Sequence, residues 1–157
     1  MLLVFFNTRP GAAIDRSVPF VFEVPGIILA QFTVVSALAV RLMKSSFDGI
    51  DPSYENVGRT LGLTKTRAFF HVTLPLAKNG LLAAAIITWA RAVGEFGATV
   101  TLAGATPMKT ETLPTAIHLG FAAADIPKAV SAILILIFIS MGALVLLRRI
   151  GYRERLQ

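Results

Sequence analysis

The residues best suited to charge chemistry are Arg91 and Glu95, which stand four positions apart in a strongly apolar segment. That spacing places both side chains on one face of a helix, where they can form an ion pair. Charges inside an apolar segment are costly and usually face a bundle interior or a water-filled path. Two interpretations stay open, a structural ion pair and the lining of a path on which Arg91 meets an anion. The candidate lining residues are Arg91, Gly94, Glu95, Gly97, Thr99 and Thr101.

A polar segment between the apolar runs is suited to binding rather than to catalysis. Asp51 followed by Pro52 predicts a helix start, because the carboxylate can cap free backbone N–H groups and proline is tolerated at the first helical position. We expect this helix to run to Leu61 and to end at Gly62, in the left-handed conformation that glycine favours.

A second short helix is predicted immediately afterwards. Thr64 can serve as its N-cap, and the helix should run to His71. Pro75 is expected to block its continuation and to push Leu74 toward extended geometry.

The second helix carries two adjacent aromatic residues, Phe69 and Phe70, beside the basic residues Lys65 and Arg67. Aromatic anchors with a charged rim are typical of a protein–protein contact. The same pattern also suits a helix lying on an anionic membrane surface. The residues alone favour neither interpretation over the other.

Composition excludes several classes of function. The 157 residues are 55% hydrophobic, and the chain has no cysteine, hence no disulfide, thiol nucleophile or cysteine-ligated metal. His71 and His118 are far apart and stand in no metal-ligand spacing. We find neither a glycine-rich phosphate loop nor a nucleophile–base set, so we expect no enzymatic activity of its own and no cofactor. The basic residues form no continuous stripe, which argues against nucleic acid despite the net charge of +6.

Three apolar segments are long enough to cross a bilayer, which takes roughly 20 helical residues. They run from about 26 to 43, from 81 to 102 and from 129 to 147. The sequence thus predicts an all-α membrane protein with three transmembrane helices and a two-helix loop at 44–80.

Basic residues predict the orientation of these spans. They concentrate in residues 41–78 and in the tail after the third span, whereas residues 103–128 hold only Lys109 and Lys128. The positive-inside rule therefore puts the loop and the tail, 150–157, in the cytoplasm. Residues 1–25 must then form an external arm. An exported arm without a targeting sequence suggests an N-terminally incomplete chain, with an odd number of upstream spans missing.

The loop resembles the segment by which type-1 ABC transporter permeases dock on their ATP-hydrolysing subunit. Gly62, a nine-residue gap, an aliphatic residue and Leu74-Pro75 are in register with the family pattern. The Glu-Ala-Ala triplet of that pattern is replaced by Asn56-Val57-Gly58, with Glu55 displaced by one position. This resemblance favours docking over lipid binding. The implied coupling residues are Glu55, Asn56, Gly58, Gly62, Lys65, Arg67, Phe69, Phe70, Leu74 and Pro75.

The charged segment is similar to permeases of molybdate and tungstate importers. The similarity rests on three stretches, Arg91–Thr99, Ala103-Gly104 and Lys109–Pro114. Sulfate permeases share the Arg-Ala-x-Gly-Glu core, but they tend toward Tyr-Gly-Ser where this chain reads Phe-Gly-Ala-Thr. The resemblance covers roughly residues 26–149.

The resemblance implies part of a six-span type-1 permease that forms a homodimer in the plasma or inner membrane. Its partners would be an ABC ATP-binding subunit, an extracytoplasmic oxyanion-binding protein and membrane lipid. The loop at 105–128, with Pro107 and Pro114 as helix breakers, would help receive the binding protein, although a plain connector remains open. The alternatives are a permease for sulfate, thiosulfate or another divalent oxyanion, and a non-transporting membrane scaffold or fragment.

Overall fold

The chain is all-α, as the sequence predicts. The computed structural model describes residues 4, 7, 8, 11 and 19–154, with side chains as far as Ile150, and no strand occurs among them. We number the helices in chain order. They are α1 (Val24–Asp48), α2 (Pro52–Thr60), α3 (Lys65–Ala68), a π-helical turn (Phe69–Thr73), α4 (Leu74–Val93), α5 (Gly97–Ala103), α6 (Leu113–Ala122) and α7 (Ile126–Glu154).

Three helical segments are long and apolar enough to span a membrane: Val24–Asp48, Lys65–Val93 and Ile126–Ile150. The predicted first and third spans, 26–43 and 129–147, lie inside α1 and α7. Both helices extend several residues beyond these bounds. Because α1 runs to Asp48 and α4 already begins at Leu74, the loop predicted at 44–80 shortens to the residues between them.

The predicted second span, 81–102, is wrong as one continuous helix. Helix α4 ends at Val93, and α5 begins only at Gly97. Two glycines flank the break, and glycine weakens a helix interior by roughly 1 kcal/mol relative to alanine. The small residues Gly94, Gly97 and Ala98 in the sequence permit a local kink here, and the structure has a full break between two helices.

The prediction that Pro75 ends the second loop helix is also wrong. Leu74 is helical, with φ −64° and ψ −43°, and the chain continues through the π-helical turn into α4. In an α-helix a proline ring clashes with the carbonyl four residues earlier. The wider π turn just before Leu74 changes that spacing, as insertions of this kind do inside helices.

The chain divides into two compact units. The first contains residues 1–36 and 90–142. Its apolar core is formed by Ala30 and Leu102, with Phe20, Val21, Leu29 and Ala98 packed against them. Gly120 in α6 lies directly against Ala129 in α7, since a Cβ added there would fall 2.9 Å from the Ala129 nitrogen.

The second unit contains residues 37–89 and 143–157, and therefore the whole predicted loop. Gly80 of α4 packs against Ser46 of α1, because a Cβ at Gly80 would lie 2.9 Å from the Ser46 Cβ. The α7 backbone continues helically to Glu154, so the described part of the predicted tail, 150–157, is an extension of the span. Most of the predicted arm, 1–25, falls outside the described residues.

Candidate functional site

The loop between the first two spans begins with a capped helix. Asp51 Oδ1 accepts a hydrogen bond from the Ser53 backbone N–H at 2.8 Å, and Pro52 opens α2, as predicted. Hydrogen bonds from the Ser53 side chain and backbone hold the pKa of Asp51 below its ordinary value. The helix start is thus fixed by a charged side chain.

Gly62 ends α2 in the left-handed conformation predicted for it, with φ +94°. The Gly62 N–H bonds the Arg59 carbonyl at 3.1 Å, and the Leu63 N–H bonds the Gly58 carbonyl at 3.2 Å. This pair of bonds defines a Schellman motif, which satisfies the last carbonyls of the helix. It turns the chain sharply toward Thr64, whose Oγ1 accepts a hydrogen bond from the Arg67 N–H and caps α3.

The departure from the Glu-Ala-Ala triplet has a packing explanation at its third position. Gly58 is buried, and a Cβ there would lie 3.3 Å from Val72 Cγ2 and 3.4 Å from Leu63 Cδ1. Ala68, fully buried, lies on the same side. A Cβ here would require the Val72 side chain to shift by a few tenths of an ångström, and glycine allows the close contact of α2 with the segment that follows without that shift.

The two polar members of the predicted coupling set that lie in α2 differ in their contacts. Glu55 is half-buried, and its Oε2 accepts a hydrogen bond from Thr73 Oγ1 at 3.4 Å. Asn56 is exposed beside it. Thr73 was not a predicted site residue. Its contact with Glu55 links α2 to the π-helical turn 18 residues later.

The two loop aromatics have different roles in the structure. The Phe69 ring stacks on Phe47 at the end of α1, with 5.9 Å between centroids, and meets the Phe70 ring edge-on at 5.3 Å. Phe70 is the more exposed, at 57%. Lys65 and Arg67 are exposed nearby in sequence. We call Lys65, Arg67, Phe69 and Phe70 the loop surface; Phe69 fixes it to α1, while Phe70 is available for contact.

Leu74 and Pro75, the last members of the predicted coupling set, belong to the first turn of α4. Leu74 is partly buried and Pro75 is exposed. They connect the loop to the span instead of extending the loop surface.

The pair predicted between Arg91 and Glu95 is present. Arg91 Nη1 lies 2.7 Å from Glu95 Oε2. Glu95 Oε1 accepts a hydrogen bond from the Ala98 N–H at 3.2 Å, at the start of α5. Because α4 ends at Val93, Glu95 lies beyond it. Its carboxylate bridges the break between the two helices, while half of the Arg91 side chain stays exposed.

The other candidate lining residues are not equivalent. Thr99 is fully buried, and its Oγ1 has no hydrogen-bond partner among the described residues. Thr101 is exposed, but its hydroxyl already donates to the Gly97 carbonyl at 2.7 Å. Gly94 and Gly97 are exposed at the helix break. Arg91 is thus the cation in this set that could meet an anion.

The two histidines lie in separate units and have local contacts. His71 Nδ1 is 3.0 Å from the Arg67 carbonyl oxygen, and the His118 ring lies 5.3 Å from that of Phe96. Among the described residues no group of three or more His, Cys, Asp or Glu side chains could hold a metal ion.

Two ion pairs hold the loop that follows α5, and the sequence did not predict either of them. Lys128 Nζ lies 2.6 Å from Glu111 Oε1, and Lys109 pairs with Glu23. The Lys128 hydrogen bond holds the pKa of Glu111 below its ordinary value, against the opposing effect of burial. These partners lie up to 86 residues apart in the chain. Local spacing gives no signal for them.

Pro114 does not break a helix, contrary to its predicted role. It lies in the first turn of α6, where Thr112 and Thr115 form a capping box. Proline is favoured at that point because its missing N–H would be unpaired in any case.

Comparison with known proteins identifies the class to which this arrangement belongs. Residues 1–155 match the family of binding-protein-dependent transport system inner membrane components. The chain belongs to this family, and with its three apolar helices it is a multi-span membrane protein.

Relatives within the family are named for particular cargoes. A probable molybdenum ABC transporter permease of Haloferax volcanii is 39% identical over 96% of this chain and 55% of its own length. The molybdenum transport permease ModB of Escherichia coli is 37% identical over 64% of this chain and 44% of its own length. The sulfate permease CysW of a Synechocystis strain is 33% identical over 82% of this chain and 47% of its own length. The chain spans about half the length of these relatives.

Proposed function

We propose that this chain is the permease part of an ATP-driven importer for molybdate or tungstate. The observation that carries the proposal is the loop built on Gly62, in which a Schellman motif joins two helices and leaves Phe70 exposed. The names of the molybdenum relatives support the choice of cargo.

In this proposal an ABC ATP-binding subunit hydrolyses ATP, and an extracytoplasmic binding protein delivers the oxyanion. A second copy of the permease completes the transport path. The loop, 49–73, and the end of α7 face the cytoplasm, and the loop after α5 faces outward, in line with the distribution of basic residues.

The loop surface inserts into the ATP-binding subunit. Phe70 supplies an aromatic anchor, and Lys65 and Arg67 form a charged rim around it. Gly62 and Gly58 act indirectly, because they set the angle and the close packing of α2 against the following helix. When ATP closes its pair of subunits, the loops move with them and change the access of the path between the two sides.

On the transport path, Arg91 offers the transient contact for the anion. Its charge is balanced by Glu95 at 2.7 Å, which keeps an oxyanion from binding tightly there. A carrier benefits from such weak binding, since cargo must also leave. The helix break next to this pair gives α5 a separate start, at which the wall of the path can change shape.

A sulfate-type oxyanion is the second candidate cargo. The observation that favours it is the 33% identity with the Synechocystis sulfate permease, which extends over 82% of this chain. Molybdate, tungstate and sulfate are all tetrahedral dianions, so selection between them rests on contacts that differ by little in geometry.

The test uses the full-length permease, reconstituted in liposomes with the ATP-binding subunit and the binding protein encoded beside it. ATP hydrolysis is measured with the binding protein loaded in turn with molybdate, tungstate and sulfate. We expect the binding protein loaded with molybdate or tungstate to stimulate ATP hydrolysis. Stimulation by sulfate alone would contradict this cargo and favour the sulfate-type alternative.

A matched pair of variants tests the loop. Phe70→Ala is compared with Phe121→Ala, because these phenylalanines are exposed to similar extents, 57% and 55%, in different units. We expect Phe70→Ala to lose co-purification with the ATP-binding subunit and Phe121→Ala to keep it. Equal retention in both variants would contradict docking through the loop.

A further inference from the structure

A groove with an unusual distribution of charge lies between α4 and α7 in the second unit. Its volume is about 770 Å³, within the range of small-molecule sites. Three cationic side chains line one part of it, and large aliphatic side chains line another. They are Lys78, Arg148, Arg149, Leu82, Val145 and Leu146.

The order of these residues along the two helices separates the charges from the apolar wall. Leu82 lies one turn beyond Lys78 in α4, and Val145 lies one turn before Arg149 in α7. Residues four apart share a helix face and differ by about 6 Å along the axis. Because α4 begins at the loop and α7 ends after its apolar run, the cations lie at the ends of the spans and the aliphatic residues lie deeper.

The three cations have no anionic partner in the described part of the chain. No carboxylate there lies within 4.0 Å of Lys78, Arg148 or Arg149, although three ion pairs are formed elsewhere. All three cations are exposed. The aliphatic residues below them are also open, with Leu82 44% and Val145 47% exposed. The groove therefore lacks both a negative charge and an apolar filler.

We propose that this groove binds one anionic phospholipid, with the phosphate between the three cations and an acyl chain along the aliphatic wall. A lipid supplies both missing elements in one molecule, and basic pockets between membrane helices on the cytoplasmic side bind such headgroups. The site is independent of the oxyanion path and of the loop surface. It would fix α4 to α7 at the level where the loop joins the membrane.

The binding test is native mass spectrometry of the full-length permease in detergent, titrated with phosphatidylglycerol or with phosphatidylcholine. The groove variant Lys78→Gln/Arg149→Gln is compared with the control Lys44→Gln/Arg41→Gln, which removes the same charges from the corresponding end of α1. We expect phosphatidylglycerol to bind the groove variant about thirtyfold more weakly and the control like the wild type, since each cation contributes separately to binding an anionic lipid. Phosphatidylcholine should bind all three proteins alike.

Leu82→Trp provides a second variant with unchanged charge, which should also weaken phosphatidylglycerol binding by filling the apolar part. If the groove and control variants lost phosphatidylglycerol binding equally, the effect would come from general surface charge, and the proposal would be overturned. The proposal would also be overturned if the wild type bound no phosphatidylglycerol, which is the result expected if a protein segment fills the groove. Full displacement of the lipid by soluble glycerol phosphate would show that the acyl chain contributes nothing, and would overturn the assignment to a lipid.

Discussion

Arg91 Nη1 lies 2.7 Å from Glu95 Oε2, and this ion pair crosses the point at which α4 ends. The residues stand four apart, a spacing ordinarily associated with one continuous helix. Here the acid lies past the helix end, and its second oxygen receives the Ala98 N–H. Glu95 thus serves both as an ion-pair partner and as the acceptor for the Ala98 amide in the first turn of α5.

Removal of the Glu95 carboxylate should destabilise the first unit. Glu95→Ala leaves the Arg91 charge and the Ala98 N–H without this partner, and we expect a loss of about 2 kcal/mol, the usual range for a hydrogen bond to a charged group. Glu95→Gln should lose less, because its amide oxygen can still accept from Ala98. The measurement is thermal unfolding in detergent. An unchanged melting temperature for Glu95→Ala would show that the pair contributes nothing.

Gly62→Ala should destabilise the loop through the backbone alone. A Cβ there meets nothing within 4 Å, so the cost comes from φ +94°, roughly 1–2 kcal/mol for a residue with a side chain. Gly62→Asn should be milder, because asparagine visits the left-handed region more readily. Hydrogen exchange at the Gly62 and Leu63 amides would report the loss. Faster exchange in the asparagine variant than in the alanine variant would contradict this account.

Gly80→Ala should destabilise the second unit by about 1–3 kcal/mol, the usual cost of overpacking. The new Cβ would lie 2.9 Å from the Cβ and the Oγ of Ser46. Gly142→Ala is the matched control, since it is helical with nothing within 4 Å, and it should be neutral or slightly stabilising. Thermal unfolding of both variants makes the comparison. Ser46→Gly should restore part of the loss, and failure to do so would place the strain elsewhere.

The Glu111–Lys128 pair should make stability depend on pH. The folded-state pKa of Glu111 lies below its ordinary value of 4.5, so its contribution is complete above that pH and disappears as the pH falls through the lowered pKa. We expect Glu111→Gln to melt below the wild type at pH 7 and the difference to shrink as the pH falls below 4.5 and through the lowered pKa.

Lys128→Gln should reproduce the effect of Glu111→Gln, and the double variant should add little, because both substitutions break one contact. Additive losses would show that the two side chains act independently, contrary to this account.

The elements that local signals specify were predicted from the sequence. Asp51 with Pro52, Gly62 and Thr64 each act on their immediate neighbours, and each has the predicted capping or turning role. The Arg91–Glu95 pair is equally local. Three apolar runs of sufficient length predicted three candidate spans.

The errors arose where distant or subtle effects decide the structure. The helix continues through Pro75 because a π-helical turn precedes it, and no residue type in the sequence indicates that turn. Gly94 and Gly97 permit a kink after Val93, but hydropathy and length alone predict one continuous span where the structure has two helices. Phe47 and Thr73 join the loop through contacts with Phe69 and Glu55 that depend on the folded chain. Such contacts follow from tertiary packing.

The continuity through Pro75 has a mechanical consequence. From Lys65 to Trp89 the described backbone is one uninterrupted helical rod, about 37 Å long at the usual rise per residue. A rod without a joint acts as a lever, so a tilt of about 5° at Lys65 would displace its other end by about 3 Å over that length. A straightforward way to uncouple such a lever is to insert a flexible joint at the π-helical turn, where the sequence has placed no glycine.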